Sequence, residues 1–169
     1  MIGGVTCREP PSGEERTLLE WAPFLRDALS PARILELNES EFEAVCQRVW
    51  SIQDHARRVA NVTLNLPEGR PYDMATKTKA LAKYLFDRRA RNGSSILEVL
   101  HHVLYRGTDE AVPTRLWDAT MDDAWRIDHF GISALGELVG WALPDRFPPR
   151  NNRTSKALRS LGFPVTVHG

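Results

Sequence analysis

The stretch from Ser40 to Val59, SEFEAVCQRVWSIQDHARRV, decides how this chain folds. It opens on Ser40-Glu41-Phe42-Glu43, a capping-box pattern in which a hydroxyl and a carboxylate three residues apart satisfy each other's backbone N–H groups. Phe42, Val45, Cys46, Val49, Ile52, Ala56 and Val59 then recur at the three-and-four spacing of one helix face, while Arg48, Asp54 and Arg58 fall on the other. This spacing predicts a central core helix, and the chain around it reads as an all-α, compact multi-helix domain.

Working outward, residues 1–13 contain Gly3, Gly4, Pro10, Pro11 and Gly13 without periodicity and read as a flexible arm, leaving 14–169 as a single helical domain. Leu18, Leu19, Trp21, Phe24, Leu25 and Leu29 predict a helix over 14–30, with Pro23 expected to break or kink it. Arg33 to Leu37 reads as a short extended segment or turn. The alternation of Val62, Leu64 and Leu66 permits one short strand. Asp73 to Arg91, closed by Asn92-Gly93, reads as a helix, and Ser95-Ile96-Leu97-Glu98 opens another. Pro113 suits a first helical turn, and Thr120 is expected to cap a helix holding Ala124, Trp125 and Ile127.

Of the 169 residues, 42% are hydrophobic and 26% charged, and no apolar run approaches the ~20 residues of a membrane span. The first residues lack the basic start and apolar centre of a signal peptide, so the expectation is a soluble cytoplasmic protein with Cys7 and Cys46 as free thiols. Two cysteines without a Cys-x-x-Cys pair, and adjacent His101 and His102 pointing about 100° apart on a helix, lead to an expectation of no metal site and no cofactor. No phosphate-loop or nucleophile-elbow pattern occurs. Net charge is zero, which argues against a generic nucleic-acid coat, but the charge is unevenly spread. Residues 1–45 carry four basic and nine acidic side chains, and beyond Ala142 five basic side chains face Asp145 alone.

The stretch most informative about function is Trp125 to Phe163, WRIDHFGISALGELVGWALPDRFPPRNNRTSKALRSLGF, which reads as helix, turn, helix, loop, helix within a segment 120–163. Phe130-Gly131-Ile132-Ser133 follows a hydrophobic-Gly-hydrophobic-Gly hairpin with Ser133 in the second glycine's place, and Gly131 is expected to make the sharp turn. The first N–H groups of the following helix have no partner within it, and the helix dipole favours negative charge there, so Gly131, Ile132 and Ser133 are candidate phosphate contacts. Arg146, Arg150, Arg153, Lys156 and Arg159 are candidates for a basic rim beside the hairpin. Leu135, Leu138, Val139 and Ala142 share an apolar face, and Gly136 and Gly140, four apart, suit close packing of another helix.

With Pro144, Phe147, Pro148 and the Leu161-Gly162 ending, this layout resembles the helix-hairpin-helix superfamily of DNA glycosylases, over about the last quarter of the chain. The resemblance implies a C-terminal helix-hairpin-helix unit that grips the backbone of duplex or modified DNA, in repair or in defence against foreign DNA. The chain departs from the family where an aspartate positions the nucleophile or stabilises the sugar cation, because Asn151 or Asn152 stands there and neither carries a charge. Where bifunctional members hold a lysine soon after the hairpin, Leu135 or a neighbour is found. The expectation is therefore a DNA-binding domain without glycosylase activity. The alternatives are a divergent glycosylase relying on Asn151, Asn152 or one of Asp122, Asp123 and Asp128, and a helical module holding a larger protein partner. Trp50, Trp117, Trp125 and Trp141, which could stack on an extruded base, are expected to pack in the core.

Overall fold

The computed structural model describes residues 13–147 and residue 162, and these are helical without strands. Seven α-helices follow in chain order: α1 (Gly13–Ala28), α2 (Glu39–Cys46), α3 (Trp50–Arg58), α4 (Met74–Asp87), α5 (Ile96–Tyr105), α6 (Val112–Met121) and α7 (Ile132–Ala142). None is long and apolar enough to cross a membrane.

The stretch expected to form one long helix is two. Its cap is Asn38, whose side chain accepts from the Glu41 N–H at 2.9 Å while Glu41 returns to the Asn38 N–H at 2.9 Å. Ser40 is therefore inside the first turn of α2, not at its cap. The helix stops at Cys46 and restarts at Trp50, with Val49 extended between them at φ −113° and ψ 108°. The apolar stripe survives the break, since Phe42, Val45, Cys46, Val49, Ile52, Ala56 and Val59 are all buried.

Charged side chains from other helices fasten α3 at both ends, because Val49 offers it no side-chain cap. At its start, the buried Glu137 carboxylate of α7 accepts from the backbone N–H groups of Trp50 (3.0 Å) and Ser51 (2.8 Å) and from the Ser51 hydroxyl. At its end, the buried Lys77 ammonium of α4 donates to the Val59 carbonyl and to Asn61 Oδ1. An anion at the N-terminus and a cation at the C-terminus both oppose the helix dipole favourably.

Local expectations are corrected at some points and met at others. Pro23 lies inside α1, which continues through it to Ala28. Residues 34–36 form a short 3-10 turn. The segment holding Val62, Leu64 and Leu66 is a series of turns, with Val62 71% exposed, Leu64 buried and Asn65 left-handed at φ 56°. α4 starts on its Asp73 cap but ends at Asp87; the chain then turns through Gly93 at φ 89°, with the Ala90 N–H donating to the Ser94 carbonyl. The capping box of Ser95 and Glu98 forms on α5, and Pro113 sits in the first turn of α6.

Candidate functional site

No helix forms over 122–130. Thr120 lies in the last turn of α6, where its hydroxyl donates back to the Leu116 and Trp117 carbonyls at 3.3 and 2.8 Å, and it caps nothing downstream. Asp122 instead builds a turn, its carboxylate accepting from the Ala124 N–H at 2.9 Å. Ile127 and Phe130 are buried and pin this loop to the core. It delivers the chain to α7 through His129, which is left-handed at φ 65°, a conformation that costs a side chain with a Cβ. The sharp turn expected at Gly131 thus falls two residues earlier. Gly131 is the N-cap of α7 at φ −101° and ψ −170°, a backbone open to any residue, and nothing lies near where a Cβ would be.

Gly131 has no side chain, and the first turn of α7 has no side-chain cap. In front of that turn opens a cleft of about 420 Å³ between α3, the end of α6, the 126–130 loop and α7 itself. Gly131, Ile132 and Ser133 are exposed on it, and Asp128 stands on its rim. α3 contributes Ser51, His55 and Arg58, spaced so that one helix side faces the cleft. The loop contributes Arg126 and His129.

His55 and His129 meet in this cleft, His55 Nε2 lying 3.1 Å from His129 Nδ1. The Tyr84 ring of α4 stands edge-on to His129, and the Arg88 guanidinium covers Tyr84 at 4.3 Å. Burial holds the His55 pKa below the usual histidine value, helped by His129 and Arg58 and opposed by Asp54. Arg58 binds Asp54 at 2.8 Å, and Arg126 lies 3.9 Å from both Asp123 and Asp128.

The cleft therefore brings together four of the residues singled out from the sequence, Asp128, Gly131, Ile132 and Ser133. Arg146 is elsewhere. It follows the far end of α7, about 16 Å along an eleven-residue helix, and pairs with Asp109 and Glu110 at 3.4 Å each. Arg150, Asn151, Asn152, Arg153, Lys156 and Arg159 lie outside the described residues. Leu135 is fully buried in the core.

Sequence reading missed His55, Arg58, Arg126 and His129 as site residues. The signal available was weak: His55 and Arg58 one turn apart on α3, and Arg126 and His129 just ahead of Gly131. The tryptophans divide. Trp125 stacks on His102 with ring centroids 3.7 Å apart, and Trp141 packs partly buried against the core. Trp117 is 55% exposed and Trp50 41%, against the expectation of core packing. His102 and its neighbour His101 turn to different partners, Trp125 and Tyr105. Among the described residues no group of three or more His, Cys, Asp or Glu side chains could hold a metal ion. No protein-family model, no curated protein and no solved structure matches this chain.

Proposed function

We propose that this protein binds the backbone of DNA, duplex or modified, by seating a phosphate in the cleft ahead of α7, and that it serves DNA repair or defence against foreign DNA. One observation carries the reading: the first turn of α7 lacks a side-chain cap and opens on a cleft that also holds Arg58 and Arg126. Amides at a helix start that no side chain caps, with arginines alongside, match the geometry and charge of a phosphate. Such contacts hold the backbone and carry no sequence information.

The amine-dependent chemistry of bifunctional glycosylases is not part of this reading, because the buried Leu135 carries no amine nucleophile. The exposed Asp128 on the cleft rim favours the divergent glycosylase as the second reading. Release of free base from modified DNA, abolished by Asp128→Asn, would establish it.

The test is fluorescence anisotropy of labelled duplex, single-stranded and modified DNA at low and moderate salt, with the wild type and an Arg58→Glu/Arg126→Glu variant. The expected outcome is salt-dependent binding that weakens at least about tenfold in the variant, as loss of two cationic contacts dictates. An absence of DNA binding at low salt overturns the proposal and leaves a protein-binding module, for which the exposed Trp117 and Met121 of α6 are the surface to probe.

A further inference from the structure

The arginines of the cleft do not by themselves tip it towards an anion. Arg58 is held by Asp54, and Arg126 stands near Asp123 and Asp128, so each cation already faces a carboxylate. These carboxylates offset part of the charge that the arginines offer a phosphate, so a further positive charge in the cleft would count. The His55–His129 pair can supply it. At an N···N separation of 3.1 Å, one ring offers its N–H and the other its lone pair, so one proton lies across the contact. Burial, His129 and Arg58 all work against charging His55 in the free protein. A phosphodiester placed between these groups reverses that balance, since an anion within about 4–6 Å favours the protonated ring.

We propose that His55 and His129 are ligands of a phosphodiester group in this cleft, and that the pair takes up one proton when the group binds. The inference rests on the DNA-binding reading above and deepens it. In the bound state both rings donate N–H groups to phosphate oxygens, where in the free state one donates to the other. The proton comes from solvent.

Charged, titratable or polar groups face the pair from the elements packed around it. α3 brings Asp54 and Arg58, which neutralise each other, and Arg57, also on Asp54 at 2.9 Å. The loop brings Arg126 and Asp128. α4 presents Tyr84, with Arg88 stacked behind it. α6 presents Thr120, whose hydroxyl is engaged with its own helix. The first turn of α7 has no acidic residue, and Glu137 one turn on is occupied by the start of α3.

The experiment is titration calorimetry of the full chain with a duplex carrying 5′-hydroxyl ends, at pH 6.5 and constant ionic strength, in PIPES and in imidazole buffers. The diesters of that duplex do not titrate here, so a difference in heat between the buffers counts protons taken up by the protein. The expected result is about one proton per site and an affinity that rises up to about tenfold per pH unit between pH 7.5 and 6. In a His55→Gln/His129→Asn variant the uptake falls to near zero and the pH slope flattens. Asparagine is chosen at 129 because it tolerates the left-handed backbone. Binding whose heat is independent of buffer in the wild type overturns this inference alone, and leaves the DNA-binding reading standing. No binding at any pH overturns both.

Discussion

Glu137 ties the two helices that wall the cleft, and its removal is the sharpest test of how the site is held. Its carboxylate is buried and accepts from two first-turn amides of α3 and from the Ser51 hydroxyl. A hydrogen bond to a charged group is worth about 1.5–3 kcal/mol and a helix cap about 1 kcal/mol, and these overlap because they describe the same contacts. Trp50 and Ser51 are not fully buried, so water recovers part of the loss. Glu137→Ala should therefore cost about 3 kcal/mol, and a melting temperature about 6–12 °C lower for a chain of this size. Glu137→Gln keeps one accepting oxygen but aims an NH₂ at a backbone N–H, so about half that loss is expected. Ser51→Ala removes one hydroxyl and leaves both amides bound, costing about 1 kcal/mol or less. Thermal melts followed by circular dichroism give all three values. Amide exchange should locate the damage in α3 and the start of α7. A Glu137→Ala protein melting within about 2 °C of the wild type would falsify the account of α3 as a helix capped from outside.

Ser133→Asp places a carboxylate in the exposed first turn of α7. It should stabilise the fold by about 0.3–1 kcal/mol through the helix dipole and yet weaken the proposed DNA binding, since a carboxylate about 5 Å from a phosphate seated there would repel it by roughly 1–3 kcal/mol; Ser133→Asn should do neither, and DNA binding unchanged in the aspartate variant counts against the cleft. Cys46 is fully buried, and burial pushes its thiol pKa far above the ordinary value, with Glu43 adding to the effect. It should therefore resist a thiol-specific disulfide reagent at pH 8 in the folded protein and react fully in denaturant; rapid native labelling assigned to Cys46 by mass spectrometry contradicts the packing described for α2.

Much of the fold was legible because periodicity and capping are local. The stripe from Phe42 to Val59 identified the core face correctly, and the Asp73 and Ser95 caps fell where helix-start chemistry put them. The break at 47–49 was not legible. No glycine or proline marks it, the apolar spacing runs through it unchanged, and what rewards a fresh helix start at Trp50 is Glu137, 87 residues away. The capping box that forms, Asn38 with Glu41, has the same spacing as the Ser40 and Glu43 read from the sequence, so spacing alone does not choose between them. Thr120 shows a similar ambiguity, because a hydroxyl that can cap the next helix can also bond back into its own.

The site was half legible. Gly131, Ile132 and Ser133 were read as part of a hairpin and do line the cleft, but no helix precedes them over 122–130 and the left-handed turn falls on His129, a residue chosen less often for it than glycine. His55 and His129 are 74 residues apart and meet through the packing of α3 against the loop, which no local pattern encodes. Arg146 looked like part of a basic rim on charge count alone, while its nearest partners are the carboxylates of Asp109 and Glu110.

The fastening of α3 also has a bearing on when it folds. Nine residues with no cap of their own are too short to hold a helix in water, so α3 cannot serve as an early seed of structure. Its two charged anchors come from α4 and α7, and the Glu137 contact closes a loop of about half the chain before it yields anything. α3 should accordingly be a latecomer in the transition state for folding. Ser51→Ala is then expected to speed unfolding while barely slowing folding, and the histidine that faces the cleft reaches its place only once both ends of the chain's core have met.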